Sequence, residues 1–261
     1  MRLQSPFGIL LIAIACVVGI GGAQSLGQRP STTSNRSSAK SVRLEDLTWP
    51  QAEQVLTPET IVLIPIGAAS KEHGPHLLLS NDLILAQYFT AEVMHRTPVV
   101  VAPVVNYHYY PAFVNYAGAT TLRLETARDL IVDICHGLAR FGPKKFYALN
   151  TGVSTIRALQ PAVEILAQDG ITLQFTDILK AGAEAEKAVT QQREGTHADE
   201  IETSMMLFIS PKSVNMAKAS KDFPTGRGIL QHADASAPRY SPSGIYGDAT
   251  LATRAKGERV V

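Results

Sequence analysis

The chain has 261 residues, of which 18% are charged, and a formal net charge of +1. This length is enough for one large domain with a hydrophobic core. The near-neutral charge provides no general basic field, so we expect no nucleic-acid partner, and the composition is that of an ordinary globular domain.

The N-terminus has the pattern of a secretory signal peptide. Arg2 precedes an apolar run at residues 7–20, and small residues follow at 21–23. The alternative is an uncleaved membrane anchor, although the run is short for a span. We expect residues 1–23 to be a signal peptide cleaved near Ala23, which predicts a secreted or periplasmic protein with no stable membrane span.

A polar stretch separates this signal from the predicted domain. Residues 24–42 are rich in Ser, Thr, Gln and Arg and contain no acid, which predicts a flexible tether before an α/β domain at 43–261. Cys135 is the single cysteine left after cleavage, so no intramolecular disulfide is expected. Cys135 lies in a helical pattern, which favours a small core residue over a nucleophile.

Apolar runs and helical spacing alternate along the domain. The predicted strands lie at residues 61–66, 99–103, 144–150 and 171–176, with a further extended segment at 119–124. The predicted helices lie at 82–96, from an N-cap at Thr126 to Gly142, near 161–168, at 182–192 and at 199–209. This alternation predicts a mostly parallel sheet with helices on both faces.

Two loops that follow predicted strands should meet at one edge of this sheet, where such folds bind ligands. The first carries Glu72, His73, His76 and Asp82, and the second begins at Asn150. Carboxylates and imidazoles together suit Zn²⁺ or Mn²⁺. The alternative for a Glu–His pair in a loop is a solvated surface.

A second polar cluster lies before and within the last predicted helix. Glu202 is in the first turn of that helix, where its carboxylate is favoured by the helix dipole and faces a cation readily. His197 precedes the helix and can reach a pocket. Asp199 and Glu200 are interpreted as ordinary first-turn acids.

A third cluster is the aromatic loop at residues 106–111. His108 and Tyr109 are candidates for lining a substrate pocket. The alternative for His108 is simple packing among the neighbouring tyrosines.

Several of these stretches resemble motifs of the creatininase family, the creatinine amidohydrolases and their relatives. In the first loop His73-Gly74-Pro75-His76-Leu77 precedes Asp82, and in the second cluster His197 precedes Glu202. Residues 247–253 and 256–257 resemble the family's C-terminal stretch. The resemblance covers roughly residues 44–257.

The resemblance implies a three-layer α/β/α sandwich with a mostly parallel central sheet, and hydrolysis of amide bonds, often in small cyclic amides. It implies one or two divalent ions, Zn²⁺ or Mn²⁺ with Fe as a further candidate, and a homo-oligomer. By the same resemblance the metal ligands are Glu72, His73, Asp82 and Glu202, and His197 is the catalytic residue near the substrate.

The sequence departs from the family pattern at two positions. The family has Glu-x-His, whereas here Glu72 directly precedes His73 and Lys71 stands where the family has Glu. The family follows its third strand with an Asn-Gly-His-Gly-Gly-Asn motif whose His binds metal, but residues 150–155 contain no His. His108 is a candidate replacement ligand.

Two hypotheses follow. The first is a secreted, metal-dependent amidohydrolase acting on a small-molecule amide, in which His197 moves a proton or orients the amide and His108 and Tyr109 line the pocket. The second is a non-catalytic relative with a degenerate metal site that binds a small ligand or a partner. A serine hydrolase is disfavoured, because no Gly-x-Ser-x-Gly elbow occurs.

Overall fold

The computed structural model describes residues 40–226 and 228–261. The predicted signal peptide and nearly all of the predicted tether lie outside these residues, so both remain predictions. No helix within the described ranges combines the length and the apolar character needed to cross a bilayer.

Strands and helices alternate through the domain. The strands are β1 (Val42–Arg43), β2 (Ile61–Ile66), β3 (Val100–Val101), β4 (Lys145–Asn150), β5 (Thr172–Phe175), β6 (Lys221–Asp222) and β7 (Gly247–Asp248). The helices are α1 (Trp49–Val55), α2 (Asn81–Arg96), α3 (Leu124–Ala139), α4 (Ile156–Gln168), α5 (Ile178–Ala181), α6 (Ala183–Lys187), α7 (Glu200–Ile209) and α8 (Arg254–Val260).

The first five strands form one parallel sheet in the order β1-β3-β2-β4-β5. This confirms the predicted α/β fold. The central strands β2 and β4 end level with each other, because Ile66 pairs with Asn150 at the last position of their register. The loops that leave these two strands therefore start side by side at the carboxyl edge.

Helices cover both faces of this sheet. Val62, Ile64 and Phe146 pack on one side in a core shared with α3 and α4. Leu63 and Val101 pack on the other side in a smaller core that includes Val93 and Met94 of α2. Since both faces are buried, the central strands have nearly continuous apolar sequences rather than alternating ones. Cys135 is buried in the larger core, as predicted, and burial raises the pKa of its thiol to about 12.

Strand β2 is confirmed at its predicted bounds, and α2 begins one residue earlier than predicted. The predicted N-cap at Thr126 is wrong. Helix α3 begins at Leu124, because Arg123 has extended backbone angles and its carbonyl already accepts the N–H of Ala127 at 3.0 Å. Helix α4 starts at Ile156 and so contains Pro161, near which it was predicted to begin.

Two further segments differ from the predicted elements. The helix predicted at 182–192 is only the short α6, which stops at Lys187, and a separate short helix, α5, lies just before the predicted range. Helix α6 stops because the backbone N–H groups of Gln191 and Gln192 donate to the buried carboxylate of Glu200 instead of continuing a helix. The segment predicted as extended at 119–124 forms no strand.

Candidate metal centre

The loop from β2 to α2 carries most of the predicted site into the interior. Lys71, Glu72, His73 and His76 are all buried. Asp82 lies in the first turn of α2 and is 1% exposed. The interpretation of the Glu–His pair as a solvated surface is therefore wrong for this loop.

The ring of His73 is held in one orientation. Its Nδ1 lies 2.9 Å from the backbone carbonyl of Lys71, and because a carbonyl only accepts, Nδ1 carries the proton and donates. Its Nε2 then faces Asp82 Oδ1 at 2.8 Å and Glu202 Oε1 at 3.5 Å. With Nδ1 already donating, the contact of Nε2 with these two oxygens needs a positive charge, either a second proton on the ring or a cation among the three atoms.

A divalent ion would supply that charge. Ligand atoms that each lie about 2.0–2.2 Å from Zn²⁺ are themselves roughly 3 to 3.5 Å apart. The distance from His73 Nε2 to the Glu202 oxygen, 3.5 Å, falls in this range, and the distance to the Asp82 oxygen, 2.8 Å, is slightly shorter. A backbone carbonyl on the opposite ring nitrogen is the usual way to orient a metal-binding histidine. The donor set therefore fits a borderline divalent ion.

The start of α7 positions Glu202. Asp199 caps the helix, and its Oδ1 accepts the backbone N–H groups of Ile201 and Glu202, each at 3.0 Å. Oε1 of Glu202 accepts from Asn81 Nδ2 at 2.7 Å, and Oε2 accepts the backbone N–H of Ala198 at 2.7 Å. Ala198 adopts a φ of 48°, a strained conformation for a residue with a Cβ, and such strain is frequent beside functional groups.

His197 forms a second imidazole–carboxylate pair. Its Nε2 lies 3.0 Å from Glu72 Oε2, and its Nδ1 lies 3.9 Å from Glu202 Oε2. Glu72 also accepts the N–H of Gly74. Burial raises the pKa of Glu72, but the hydrogen bonds from His197 and from the Gly74 N–H help to outweigh it, so the net pKa is below the usual value. The ring of Phe113 packs on His197 with centroids 4.1 Å apart.

The structure thus gathers the predicted residues from two distant loops. One ligand atom from each of His73, His197 and Glu202 lies within 4.8 Å of the others. Asp82 contacts His73, and Glu72 contacts His197 rather than the other predicted ligands. The metal and catalytic roles of these residues remain predictions.

Lys71 adds a cation that the predicted site did not contain. Its Nζ lies 2.6 Å from Asp82 Oδ2, with side-chain exposures of 7% and 1% for the two residues. Burial raises the pKa of Asp82, but the Lys71 ammonium and His73 hold it well below its usual range. Asp82 is therefore a carboxylate with a positively charged group on one oxygen and an imidazole on the other.

A cavity of ≈ 290 Å³ opens onto this cluster. Lys71, His197 and Glu202 face it, and so do Thr151 and Gly152 from the end of β4. Residues 150–155, which leave this strand end, contain no imidazole. The turn is instead closed by the side chain of Asn150, whose Nδ2 donates to the carbonyl of Gly152 at 2.7 Å.

His108 and Tyr109, predicted to line a substrate pocket, are not among the described residues that line this cavity. His108 is fully buried with its ring 6.4 Å from that of Tyr110, and burial lowers its pKa to about 4. It is also outside the group of possible metal ligands. His76 is likewise buried, with a pKa lowered to about 4 by burial, and its Nε2 lies 2.8 Å from Thr203 Oγ1.

Sequence reasoning did not identify three residues of the centre. Asn81 holds Glu202, Phe113 packs on His197, and Lys71 pairs with Asp82. Asn81 was detectable as a polar residue directly before Asp82 at the start of a helix. The contact of Phe113 comes from a loop whose path no local pattern indicates.

Comparison of the sequence and the fold with known proteins identifies a family. The family model described as creatinine amidohydrolase, of the creatininase family, matches residues 45–261. A creatinine amidohydrolase of Pseudomonas putida is 25% identical over 252 residues, covering 85% of this chain and 93% of that protein. A mycofactocin precursor peptide peptidase of Mycobacterium ulcerans is 26% identical over 224 residues, covering 82% of this chain and 80% of that protein.

Solved structures share the fold. A creatininase with Mn superposes with a TM-score of 0.69 at 24% identity, covering 85% of this chain and 93% of that chain. A mutant creatininase of Zn-Zn type superposes with a TM-score of 0.68 at 24% identity and the same coverage. The family model spans most of the described domain, and the residues that it covers include the whole cluster of imidazoles and carboxylates. The chain belongs to the creatininase family, whose members are metal-dependent amidohydrolases.

Proposed function

We propose that this chain hydrolyses the C–N amide bond of a small molecule outside the cytoplasm, with a Zn²⁺ or Mn²⁺ ion bound by His73, Asp82 and Glu202. The observation that carries the proposal is the position of His73 Nε2, 2.8 Å from Asp82 Oδ1 and 3.5 Å from Glu202 Oε1. One carboxylate from each of two distant segments therefore approaches the same buried imidazole nitrogen beside a cavity, although Asp82 lies outside the group formed by His73, His197 and Glu202.

The ion would supply two effects, lowering the pKa of a bound water from about 15.7 toward about 7 and polarising the amide carbonyl. The chain's own residues fix the ligands around it. The Lys71 carbonyl orients His73, and Asn81 and the N–H of Ala198 hold the two oxygens of Glu202. Such outer contacts preserve the geometry of metal ligands.

His197 is suited to move a proton. With its Nε2–H donated to the ionised Glu72, its Nδ1 has a free lone pair on the side of Glu202 and the cavity. A carboxylate behind an imidazole fixes the tautomer and stabilises the protonated ring. Nδ1 can therefore take a proton from the attacking water and pass it to the leaving nitrogen.

The cavity supports a small substrate, because its volume of ≈ 290 Å³ is near the lower end of small-molecule sites, about 300 Å³. The non-catalytic alternative is less favoured, since the buried imidazoles and carboxylates remain together. Export is supported by the sequence alone, through Arg2, the apolar run at 7–20 and the small residues at 21–23.

The test is a kinetic and metal analysis of His197→Asn beside the wild-type protein. We expect hydrolysis of small cyclic and linear amides by the wild type, and a loss of about 10²–10⁴-fold in kcat for the variant, with its metal content unchanged. A matched control is His136→Asn, an exposed histidine paired with Asp169, which should keep full activity.

Three results would count against parts of this proposal. Loss of metal together with activity in His197→Asn would make His197 a ligand rather than a proton carrier. Cleavage of peptides with no turnover of small amides would reject the substrate class. If mass analysis showed that the exported protein still contains residues 1–23, signal cleavage near Ala23 would be rejected.

A further inference from the structure

The buried ammonium of Lys71 is not used by the function proposed above. Its backbone is fixed on both sides, since its N–H donates to the carbonyl of Leu79 at 3.0 Å and its own carbonyl accepts from His73. The ammonium lies 2.6 Å from Asp82 Oδ2. Its place is therefore set by the same loop that presents His73.

The two oxygens of Asp82 have different partners. Oδ1 faces His73 Nε2 and Oδ2 faces Lys71 Nζ. A carboxylate that bridges two metal ions places one oxygen on each ion, and such ions lie about 3.5–4 Å apart. Here an ammonium already occupies the position beside the second oxygen.

The surroundings of Lys71 Nζ suit an organic cation better than a metal ion. The rings of Phe113 and Tyr110 have their centroids 5.3 Å and 5.6 Å from Nζ, which favours an ammonium by cation–π attraction. Among the described residues Asp82 is the one carboxylate within ion-pair distance of Nζ. A second divalent ion needs several oxygen or nitrogen ligands, and aromatic faces supply none.

The end of β4 adds no ligand on this side. The Thr151 hydroxyl donates to the backbone carbonyl of Asp82 at 3.4 Å, so this strand end lies beside Asp82. Residues 150–155 contain neither an imidazole nor a carboxylate. Among the described residues, Lys71 is the one side chain that forms an ion pair with Asp82 Oδ2.

We propose that the Lys71 ammonium takes the place of a second metal ion, so that the centre binds one divalent ion per chain and presents a fixed organic cation to the cavity. This inference rests on the proposed metal-dependent function. It sets this chain apart from the Zn-Zn type creatininase of the same fold. The Lys71 ammonium already neutralises the charge of Asp82, so the centre needs less positive charge from metal ions.

The test is the number of ions bound per chain after dialysis against excess Zn²⁺ or Mn²⁺, measured by elemental analysis. We expect one ion for the wild type and two for Lys71→Glu, because the change removes the ammonium and adds a carboxylate ligand beside Asp82. The matched control is Lys145→Glu, the same charge change at an exposed residue, which should bind one ion. Electron paramagnetic resonance of the Mn²⁺-loaded wild type should show uncoupled ions, a readout that does not depend on the folding of any variant.

Two ions in the wild type, or a coupled Mn²⁺ pair, would overturn this inference and leave the proposed function intact. A folded Lys71→Glu variant that binds one ion would also overturn it. A wild type that binds no ion and whose hydrolysis resists chelators would instead reject the proposed function, and the inference with it.

Discussion

Two lysine–carboxylate pairs, each with a buried carboxylate, have opposite surroundings in this molecule. Lys256 pairs with Glu200, and its Nζ also donates to the Leu251 carbonyl at 2.7 Å and to Gln191 Oε1 at 2.8 Å. Glu200 in turn accepts the backbone N–H groups of Gln191 and Gln192. Every donor of this ammonium has a partner.

Lys71 and Asp82 form the other pair. The ammonium of Lys71 has one carboxylate partner among the described residues and otherwise faces aromatic rings and the cavity. Burial and ion pairing alone therefore do not distinguish a structural ammonium from a functional one. What distinguishes them is the number of N–H donors left free toward a cavity, because an ammonium whose donors are all paired cannot bind a substrate.

Asp82→Ala removes the carboxylate of the Lys71–Asp82 pair and is expected to have the largest effect. It removes one ligand atom and leaves the Lys71 ammonium buried beside His73, where it repels a cation. We expect loss of the retained metal and a fall in kcat/KM of at least about 10²-fold. Elemental analysis and steady-state kinetics measure both.

The control for that substitution is Asp169→Ala, which removes an exposed carboxylate and should retain the ion. An Asp82→Ala protein that binds as much metal as the wild type would refute the assignment of this ligand.

Lys256→Met tests the Lys256–Glu200 pair, because it leaves the Glu200 carboxylate buried without its counter-charge. We expect the free energy of unfolding to fall by about 3–5 kcal/mol, with the metal content and kcat of the folded fraction unchanged. Lys71→Met should cost less stability in the metal-loaded protein, because the ion next to Asp82 compensates its charge. Denaturant unfolding of both variants gives the comparison, and equal losses would argue against the distinction between the two pairs.

His108 is a third buried basic group, and neither of its ring nitrogens has a hydrogen-bond partner among the described residues. Burial lowers its pKa to about 4, against about 6.5 in the unfolded chain. The folded state therefore keeps it neutral, so its contribution to stability is complete above pH about 6.5 and is lost as the pH falls toward about 4. The loss is about 3 kcal/mol.

His108→Leu should remove this part of the acid sensitivity, since leucine takes up no proton. Urea unfolding at pH about 7 and about 4.5 would measure it, and some slope should remain because burial also lowers the pKa of His76 to about 4. The same pH dependence in the wild type and the variant would show that His108 does not titrate as described.

Much of the fold follows from local pattern. The apolar run of β2 and the helical spacing of α2 predicted both elements almost to the residue, because each depends on burial against the sheet. The early end of the helix predicted at 182–192 was not predictable, since it depends on the side chain of Glu200 accepting two backbone N–H groups from another segment. The predicted start of α3 was wrong because Thr126 is a residue type that often caps helices. The N-cap is instead Arg123, which takes this position through its extended backbone angles.

The centre was predictable by residue type but not by pairing. The sequence indicated that Glu72, His73, Asp82, His197 and Glu202 belong together, and they do lie in one cluster. Which carboxylate faces which imidazole depends on side-chain geometry across segments more than a hundred residues apart. The partner of Lys71 was hidden for a different reason, since the loop between Lys71 and Asp82 has no regular periodicity, although the place of Lys71 in the motif marked it as unusual.

The most direct test of a single-ion centre is a crystal structure of the protein soaked with Mn²⁺ or Zn²⁺, with diffraction measured at the absorption edge of that metal. We expect one anomalous peak per chain within coordination distance of His73 Nε2, Asp82 Oδ1 and Glu202 Oε1, with Lys71 Nζ still on Asp82 Oδ2. No peak at these atoms, or a peak in the place of the ammonium, would contradict the single-ion centre.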